Sequence, residues 1–268
     1  MLLVATVCVL LGVWQMARLS DKHHANIELR RNAHAAPVPA TSLLRPGTTP
    51  SRVDVQFRQV TATGSYDGGH QSLLRNQTID GDTGYLVVTP LRADDATLLV
   101  VRGFVTGPSS TITAPAPPPG RVTITARVWP PNNGADDRAA ELANGQVESI
   151  NAVEQAQRLG TAVLGGYAEL LAGQPGGAGM VTIPPPDLSN PAGGAPEAQH
   201  LAYVIQWFLF AGLALAAPVV MVRAEAGHSA RELDDDADDA LAPTPTAQEA
   251  RAARLADRYG RAVRRPSG

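Results

Sequence analysis

His200 is the residue whose type and position most directly suggest chemistry. It stands one residue before an apolar segment that begins at Leu201, and Tyr203 and Trp207 follow it within two helical turns. Imidazole is a common axial ligand of haem iron, and the aromatic and apolar neighbours could hold a porphyrin. Alternatively, His200 is a polar residue at a membrane interface whose ring reaches the lipid headgroups.

Two glutamines interrupt segments that are otherwise apolar. Gln206 lies in the segment that follows His200, and Gln15 lies next to Trp14 near the N-terminus. A carboxamide in a membrane helix can hydrogen-bond to a neighbouring helix, so we expect Gln206 to pair with Gln15. Such a bond would form with or without a bound ligand.

Arg102 follows a run of apolar residues that is typical of a buried strand. Its guanidinium can form bidentate, charge-assisted hydrogen bonds with a carboxylate of a ligand or with a carboxylate of the fold. We favour the structural pairing.

Several classes of function are excluded or disfavoured. The sequence contains no nucleophile elbow, paired acid motif or phosphate loop, so we do not expect an enzyme. Cys8 is the only cysteine, which excludes a disulfide framework and a cysteine metal cage. His23 and His24 would diverge by about 100° on a helix, so no metal site is expected. The formal net charge of -3 gives no basic footprint for nucleic acid.

Two apolar segments have the composition of transmembrane helices. Residues 201–222 contain no charged residue. A helix of that length rises about 33 Å, enough to cross a hydrocarbon core of about 30 Å. Residues 1–17 are apolar apart from Thr6 and Gln15. A buried helix of a soluble protein is the alternative for the longer segment, but such uninterrupted length is rare in soluble cores.

The first segment is short for a membrane span. Residues 1–17 rise only about 25 Å as a helix, and no positive residues precede them. One explanation is that the true start of the protein lies upstream. A cleaved signal peptide is the other alternative, and we disfavour it because no small-x-small cleavage site follows the apolar run.

The charges beside the two segments give no secure orientation. Positive residues on the loop side are Arg18, Lys22, Arg30 and Arg31, and those on the tail side are Arg223 and Arg231. Read literally, the positive-inside rule places the loop in the cytoplasm, but the rule weakens for loops longer than about 60 residues.

Residues 18–200 have room for one folded domain. A helix is expected to continue from the first span through about Arg31, and Asn151 with Glu154 resembles a capping box that starts a later helix. Alternating apolar residues predict strands at 53–57 and 60–64 with a bulge near Arg58, at 72–76 and 85–91 around a turn at 80–84, and at 97–105, 122–128 and 167–171. The predicted fold class is a membrane protein with two transmembrane α-helices flanking an α+β domain dominated by antiparallel β-strands.

The tail, residues 223–268, has a different character. An acidic run at 232–239 is followed by Pro243 and Pro245, and then by an Ala- and Arg-rich stretch at 248–265 that could form a basic helix. The functional interpretation is a contact with the membrane surface or with a partner. We favour a solvated, largely disordered tail, because the acidic and basic blocks can neutralise each other.

Five short motifs occur in the order and at the membrane positions of a known family. They are LGVWQMAR at 11–18, GSY at 64–66, RN at 75–76 with GYLVVTPL at 84–91, LVVRGFV at 99–105 and HLAYVIQWF at 200–208. From the first span through about Arg223 the chain resembles the Surfeit locus protein 1 family, and we expect a bacterial, actinobacterial member. Gln77, Val101 and Phe104 stand where Arg, Asn and Trp are commoner in the family, and the tail has no family counterpart.

The resemblance implies a location and a role. The protein would lie in the plasma membrane as a multi-pass protein with both termini cytoplasmic and the central domain extracytoplasmic. It would be an assembly factor for cytochrome c oxidase that assists haem a insertion or stabilises subunit I. Its partners would be subunit I, proteins of haem a biosynthesis and assembly, and the lipid bilayer, with no nucleic acid.

The resemblance also implies a transient ligand, haem a. On this interpretation His200 ligates the iron and Arg102 meets a propionate. The remaining site residues would be Tyr203, Gln206, Trp207, Trp14 and Gln15. A two-span receptor or sensor with an extracytoplasmic ligand-binding β domain is the alternative, and a membrane-bound enzyme is the weaker third.

Overall fold

The computed structural model describes residues 1–108, 112–131, 145–241 and 247–260. The helices are α1 (Leu2–His34), α2 (Ala40–Leu43), α3 (Arg52–Val55), α4 (Ala152–Leu159), α5 (Glu197–Leu241) and α6 (Ala247–Gly260), with a 3-10 turn at Gly68–His70. The strands are β1 (Val38–Pro39), β2 (Gln59–Tyr66), β3 (Ser72–Ile79), β4 (Asp82–Arg92), β5 (Thr97–Val105), β6 (Arg121–Trp129), β7 (Gln146–Val147) and β8 (Val163–Leu170).

Two helices, α1 and α5, are long and apolar enough to cross a membrane. Only 17% of the apolar window of α1 and 11% of that of α5 is buried in the protein, so these surfaces are not covered by a soluble core. The predicted fold class is therefore confirmed: two membrane helices flank a domain built on a sheet of mainly antiparallel strands.

Contacts divide the chain into two compact units, residues 1–13 with 203–268 and residues 14–202. In the first unit, the helix pair packs through small residues. Ala5 and Cys8 are buried on α1, and Ala211 is buried on α5. A Cβ atom added at Gly12 would lie 3.0 Å from the Phe208 ring, so glycine lets the helices approach closely.

In the second unit, five strands close into a ring. β2 pairs with β6, β6 with β8, β8 with β5 and β5 with β4, and β4 returns to β2 through the pairs Ser65↔Arg92 and Tyr66↔Leu91. Within this ring only β5 and β8 run parallel. β3 extends the sheet beyond β4, and the short strands β1 and β7 add parallel edges.

β5 is the central strand because both of its faces are covered. Leu98 and Val100 point into the core inside the ring, whereas Leu99 and Val101 belong to a second core that includes residues of α4. All four side chains are 1% exposed or less. Burial on both faces explains why this strand reads as a continuous apolar run instead of an alternating one.

Closure of the ring requires a glycine at position 64. A Cβ atom there would lie 2.4 Å from the Arg92 carbonyl oxygen. Any side chain would therefore push β2 away from β4 at the point where the ring closes.

The strand predicted at 53–57 is wrong. Residues 52–55 form α3, and Phe57 has a positive φ of 68° where a bulge near Arg58 was expected. The reason is tertiary: Asn32 of α1 donates from Nδ2 to the carbonyl oxygens of Val53 at 2.7 Å and Gln56 at 3.2 Å. These bonds hold the segment in a helical turn that its own alternation does not indicate.

The other predicted elements lie close to their predicted positions. β5 has the predicted bounds, and the turn before β4 is tighter than expected, with positive φ at Asp80 and Gly81. Asn151 caps α4 by accepting from the backbone N–H of Val153 at 3.0 Å and of Glu154 at 3.3 Å.

The tail is helical where the structure describes it, in contrast to the largely disordered tail that we expected. α5 continues past Arg223 to Leu241, and α6 follows at Ala247–Gly260. Ala, Glu, Leu and Arg are strong helix formers, and they dominate both stretches. Part of the predicted basic helix, residues 261–265, lies outside the described residues.

Candidate functional site

The polar half of α1 binds the segment that leads into α5. Lys22, Asn26 and Arg30 are spaced four residues apart and so share one helical face. We call residues 171–196, between β8 and α5, the connector. Arg30 donates from Nε to the Leu188 carbonyl at 3.0 Å and from Nη2 to the Ser189 carbonyl at 2.8 Å.

Asn26 is the centre of this attachment and is only 1% exposed. Its Oδ1 accepts from the backbone N–H of Ala192 at 3.0 Å, and its Nδ2 donates to Glu197 Oε1 at 2.7 Å. His23 Nδ1 lies 2.9 Å from Glu197 Oε2, and the Lys22 ammonium donates to the Gly193 carbonyl. The first residue of α5 is thereby fixed by both of its carboxylate oxygens.

His200 lies three residues after this anchor, and its side chain is half-buried. Its Nδ1 is 3.4 Å from Gln15 Oε1, the acceptor atom of that carboxamide. With the proton on Nδ1 donating to Gln15, the Nε2 lone pair is free to bind a metal ion, an arrangement common for metal-binding histidines.

The contact of Gln15 that the structure shows is with His200, whose Nδ1 lies 3.4 Å from the Gln15 oxygen. Both residues belong to the unit of residues 14–202, whereas Gln206 belongs to the other unit. That Gln206 pairs with Gln15 stays a prediction.

A cleft of about 430 Å³ lies beside His200. We call it the basic cleft, because its charged lining consists of Arg18, Lys22 and Arg52 with one carboxylate, Asp21, and its wall includes the connector at 192–195. Arg52 donates to the carbonyls of Ala192 at 3.3 Å and Pro191 at 3.5 Å, and also to Gln56 Oε1.

The predicted aromatic residues lie on both long helices. Trp14 is 53% exposed, and the Arg18 guanidinium carbon lies 5.6 Å from the centroid of its ring. On α5, Tyr203 is 40% exposed and Trp207 packs edge-on against Phe210 at 6.1 Å. That these side chains and Gln206 contact a ligand stays a prediction.

Arg102 has a structural environment. It is 3% exposed, and Nε donates to the Gly176 carbonyl at 2.8 Å. Its other acceptors are Gln71, Thr89 and the carbonyls of Pro115 and Ala116. Burial lowers the pKa of the guanidinium, although the side chain stays charged. Among the described residues the acceptors of Arg102 are neutral, so the carboxylate of the fold that we expected as its partner is not observed there. That Arg102 meets a ligand carboxylate stays a prediction.

Tyr66 closes one side of the Arg102 environment. The Arg102 guanidinium carbon lies 5.6 Å from the centroid of the Tyr66 ring, and the Tyr66 hydroxyl donates to the Pro175 carbonyl at 3.0 Å. Burial raises the pKa of Tyr66 to about 12, against the opposing charge of Arg102. Arg102 thus ties the connector and the Pro-rich segment before β6 onto the ring.

A larger cavity, of about 620 Å³, lies between α4 and the loop at 46–49. Its lining is apolar or neutral and polar, with residues such as Asn151, Val153 and Gln157. Its described lining therefore offers no titratable group for chemistry. Among the described residues, no three His, Cys, Asp or Glu side chains come together as a metal site.

Sequence reasoning missed the residues that hold the connector: Lys22, Asn26, Arg30, Arg52 and Glu197. The spacing of 22, 26 and 30 on one helical face was a usable signal for a polar contact. Their partner was not predictable, because the connector lies about 160 to 170 residues further along the chain.

Comparison with known proteins agrees with the motifs and with the architecture. Residues 2–212 match the model of the SURF1 family. An uncharacterized SURF1-like protein of Mycobacterium bovis is 33% identical over 256 residues, which cover 94% of this chain and 89% of the relative. A SURF1-like protein of Mycobacterium tuberculosis matches to the same extent. The chain therefore belongs to the SURF1 family.

Proposed function

We propose that this protein assists the assembly of cytochrome c oxidase, the general role of the SURF1 family, by holding haem a as cargo at the membrane edge of its domain. His200 is the iron ligand in this proposal. The observation that carries it is the pairing of His200 Nδ1 with Gln15 Oε1, which holds a half-buried imidazole beside an open cleft. In the tautomer with the proton on Nδ1, the Nε2 lone pair would be the one that binds the iron.

The residues around His200 fit such a cargo in chemistry. Trp14, Met16 and Leu201 provide exposed apolar surface near the start of the spans. Leu19 and Leu201 line a second, largely apolar cavity of about 410 Å³ that also includes Met16 and Ala198. A porphyrin is flat and apolar apart from its carboxylates, so apolar surface next to a metal-binding imidazole suits it.

In the proposed orientation, both termini lie in the cytoplasm and the β domain lies on the opposite side. Fusion of a reporter that is active only in the cytoplasm after residue 241 should give activity, and the same reporter inserted at Asp80 should give none. The reverse pattern would place the domain in the cytoplasm and would refute this part of the proposal.

The test of haem binding uses the full chain in detergent or nanodiscs, titrated with haem a. We expect a shifted Soret band and a vibrational signature of iron–imidazole ligation. Both should be lost in His200→Ala, whereas His24→Ala, which removes an exposed imidazole bonded within α1 to Ser20, should bind normally. Equal binding by His200→Ala and the wild type would refute His200 as the ligand.

The role in assembly is tested in cells. Membranes of a strain that lacks this gene should show a diminished haem a signal in reduced-minus-oxidised spectra, with the oxidase subunits still present. If the wild-type gene restores the haem a signal and His200→Ala does not, the assembly role depends on the proposed iron ligand. An unchanged spectrum with normal oxidase activity would argue against an assembly role.

One observation favours a receptor as the second candidate. α5 is a single helix from Glu197 to Leu241, and a continuous helix can transmit a displacement into the tail. Removal of residues 225–268 should abolish the function of a receptor. An assembly factor that acts through His200 should retain its function after that truncation.

A further inference from the structure

The basic cleft carries more positive charge than its own residues neutralise. Arg18, Lys22 and Arg52 supply three positive charges and Asp21 supplies one negative charge, which leaves a net formal charge of +2 in the lining. Glu197, the next carboxylate along, is already hydrogen-bonded to Asn26 and His23.

The three cations keep donors for a ligand. The Lys22 ammonium has three N–H groups, and the structure shows one bond, to the Gly193 carbonyl. Arg52 bonds only neutral acceptors among the described residues, and the Arg18 guanidinium has a contact with the Trp14 ring but no ion pair there. Uncompensated positive charge in a concave surface attracts anions, and a carboxylate would form charge-assisted hydrogen bonds in it.

His200 lines the same cleft and identifies the kind of anion. A lipid phosphate would bind the cations, but it carries no metal ion for the imidazole to coordinate. A metalloporphyrin carries a metal ion for the imidazole and two carboxylates on one edge for the cations. We propose that Arg18, Lys22 and Arg52 form the seat for the two propionates of haem a, an inference that rests on the proposed function.

In this proposal these three cations take the place of Arg102, whose guanidinium donates to protein acceptors in the connector, at Gln71 and in the Pro-rich segment before β6. It also assigns a task to the connector. The connector carries the carbonyls of Pro191, Ala192 and Gly193 that position Arg52 and Lys22, so it holds the anion seat and the iron ligand in one arrangement.

The decisive experiment changes the ligand and leaves the protein intact. The full chain, in nanodiscs of phosphatidylcholine, is titrated with haem a and with its dimethyl ester, which lacks both carboxylate charges. We expect the wild type to bind the diacid about tenfold more tightly than the ester, as expected for loss of about one charge-assisted hydrogen bond. Both ligands should show the same iron–imidazole signature.

Variants then show which residues cause the preference for the diacid over the ester. In Lys22→Gln/Arg52→Gln the diacid should bind about as weakly as the ester, whereas affinity for the ester should stay within about twofold of that of the wild type. Arg18→Gln removes a charge without removing a bond to the connector. If the double variant does not fold, Arg18→Gln replaces it, and it too should reduce the preference for the diacid. The control is Arg31→Gln. Arg31 also lies on α1, but it is paired with Glu28 and lies outside the cleft, so this variant should keep the tenfold preference for the diacid over the ester.

The outcomes separate the two proposals. Equal affinity for diacid and ester, with binding still lost in His200→Ala, would overturn the propionate seat and leave the proposed function standing. Absence of binding of either ligand to the wild type would refute both. Retention of phosphatidylglycerol that depends on Arg18 and Arg52, together with equal affinity for diacid and ester, would assign the cleft to a phospholipid instead.

Discussion

Arg102 in the strand ring and the cations of the basic cleft are alike in having no ion-paired carboxylate among the described residues, yet their surroundings differ. Arg102 is 3% exposed, and neutral protein acceptors surround its guanidinium. Arg18 and Arg52 are exposed and have donors to spare. The difference teaches that a conspicuous arginine in a motif can be fully used by the fold, whereas a ligand is best sought where donors are left over.

The strongest way to break this comparison is Arg102→Ala. The change leaves the buried carbonyl of Gly176 and the less buried carbonyls of Pro115 and Ala116 without the Arg102 donor. We expect a loss of about 3–5 kcal/mol in the free energy of unfolding, measured by thermal or chemical unfolding in detergent. Arg102→Lys should lose less, because it keeps the charge and some donors. A stable Arg102→Ala variant with weakened haem a binding would instead make Arg102 a ligand contact.

Gly64→Ala tests whether the strand ring around Arg102 is rigid at the point where β2 meets β4. The new methyl group would meet the Arg92 carbonyl at 2.4 Å, and such overpacking costs about 1–3 kcal/mol. The matched control is Gly69→Ala, where the nearest atom would lie at 3.6 Å and the change should cost less than about 0.5 kcal/mol. Equal unfolding of both variants would mean that β2 and β4 can separate without penalty.

Asn26→Ala tests the other region of the comparison, the basic cleft, by loosening the attachment of the connector to α1. It removes the bonds to Ala192 and Glu197, so we expect a modest loss of about 1–2 kcal/mol in stability. Haem a binding should weaken about tenfold, because the group that orients the ligating helix is lost. Titration of Asn26→Ala with haem a measures the affinity, and His24→Ala is the matched control. Unaltered binding would show that the connector does not position His200.

Asp67 offers a third kind of site, in which cations are paired with a carboxylate. Partial burial raises the pKa of Asp67, but hydrogen bonds from His70 and Arg92 outweigh it and hold the pKa below its usual value. A depressed carboxyl pKa gives stability that is present above the unfolded pKa of about 3.9 and is lost as pH falls through the folded pKa.

The effect should be the smallest of the four, less than about 1 kcal/mol. Asp67→Asn should lose stability at neutral pH and converge with the wild type as the pH falls through the folded pKa of Asp67. Melting temperatures across pH 2–7, with Asp80→Asn in an exposed turn as the control, provide the measurement. A constant offset at all pH values would show that the ion pair is not responsible.

Local pattern predicted the elements that local forces determine. The unbroken apolar run of β5 and the Asn151 cap contain their own signals, and the bounds of β5 and the start of α4 were predictable. The two-residue strands β1 and β7 contain too few residues for any periodicity. Residues 53–57 alternate like a strand, yet bonds from Asn32, some twenty residues earlier, turn them into a helix.

The candidate site divides in the same way. His200 was recognisable because an imidazole at the start of a membrane helix is chemically unusual. The basic cleft was not, because its lining comes from α1, from α3, from the connector and from His200 of α5, four segments that only the tertiary fold brings together. Gln15 was predicted to make a polar contact with the second long helix, but the contact with His200 that the structure shows was not predicted.

The attachment of the connector to α1 also has a consequence for biosynthesis. Asn26 and Glu197 are separated by 171 positions, and Gln15 and His200 by 185. The first member of each pair leaves the ribosome long before the second, and the whole domain is synthesised between them. A nascent chain that ends before His200 therefore lacks the contact between Gln15 and the imidazole. If the protein binds haem a as proposed, synthesis of the whole domain must precede binding, which would keep such unfinished chains from capturing the iron compound.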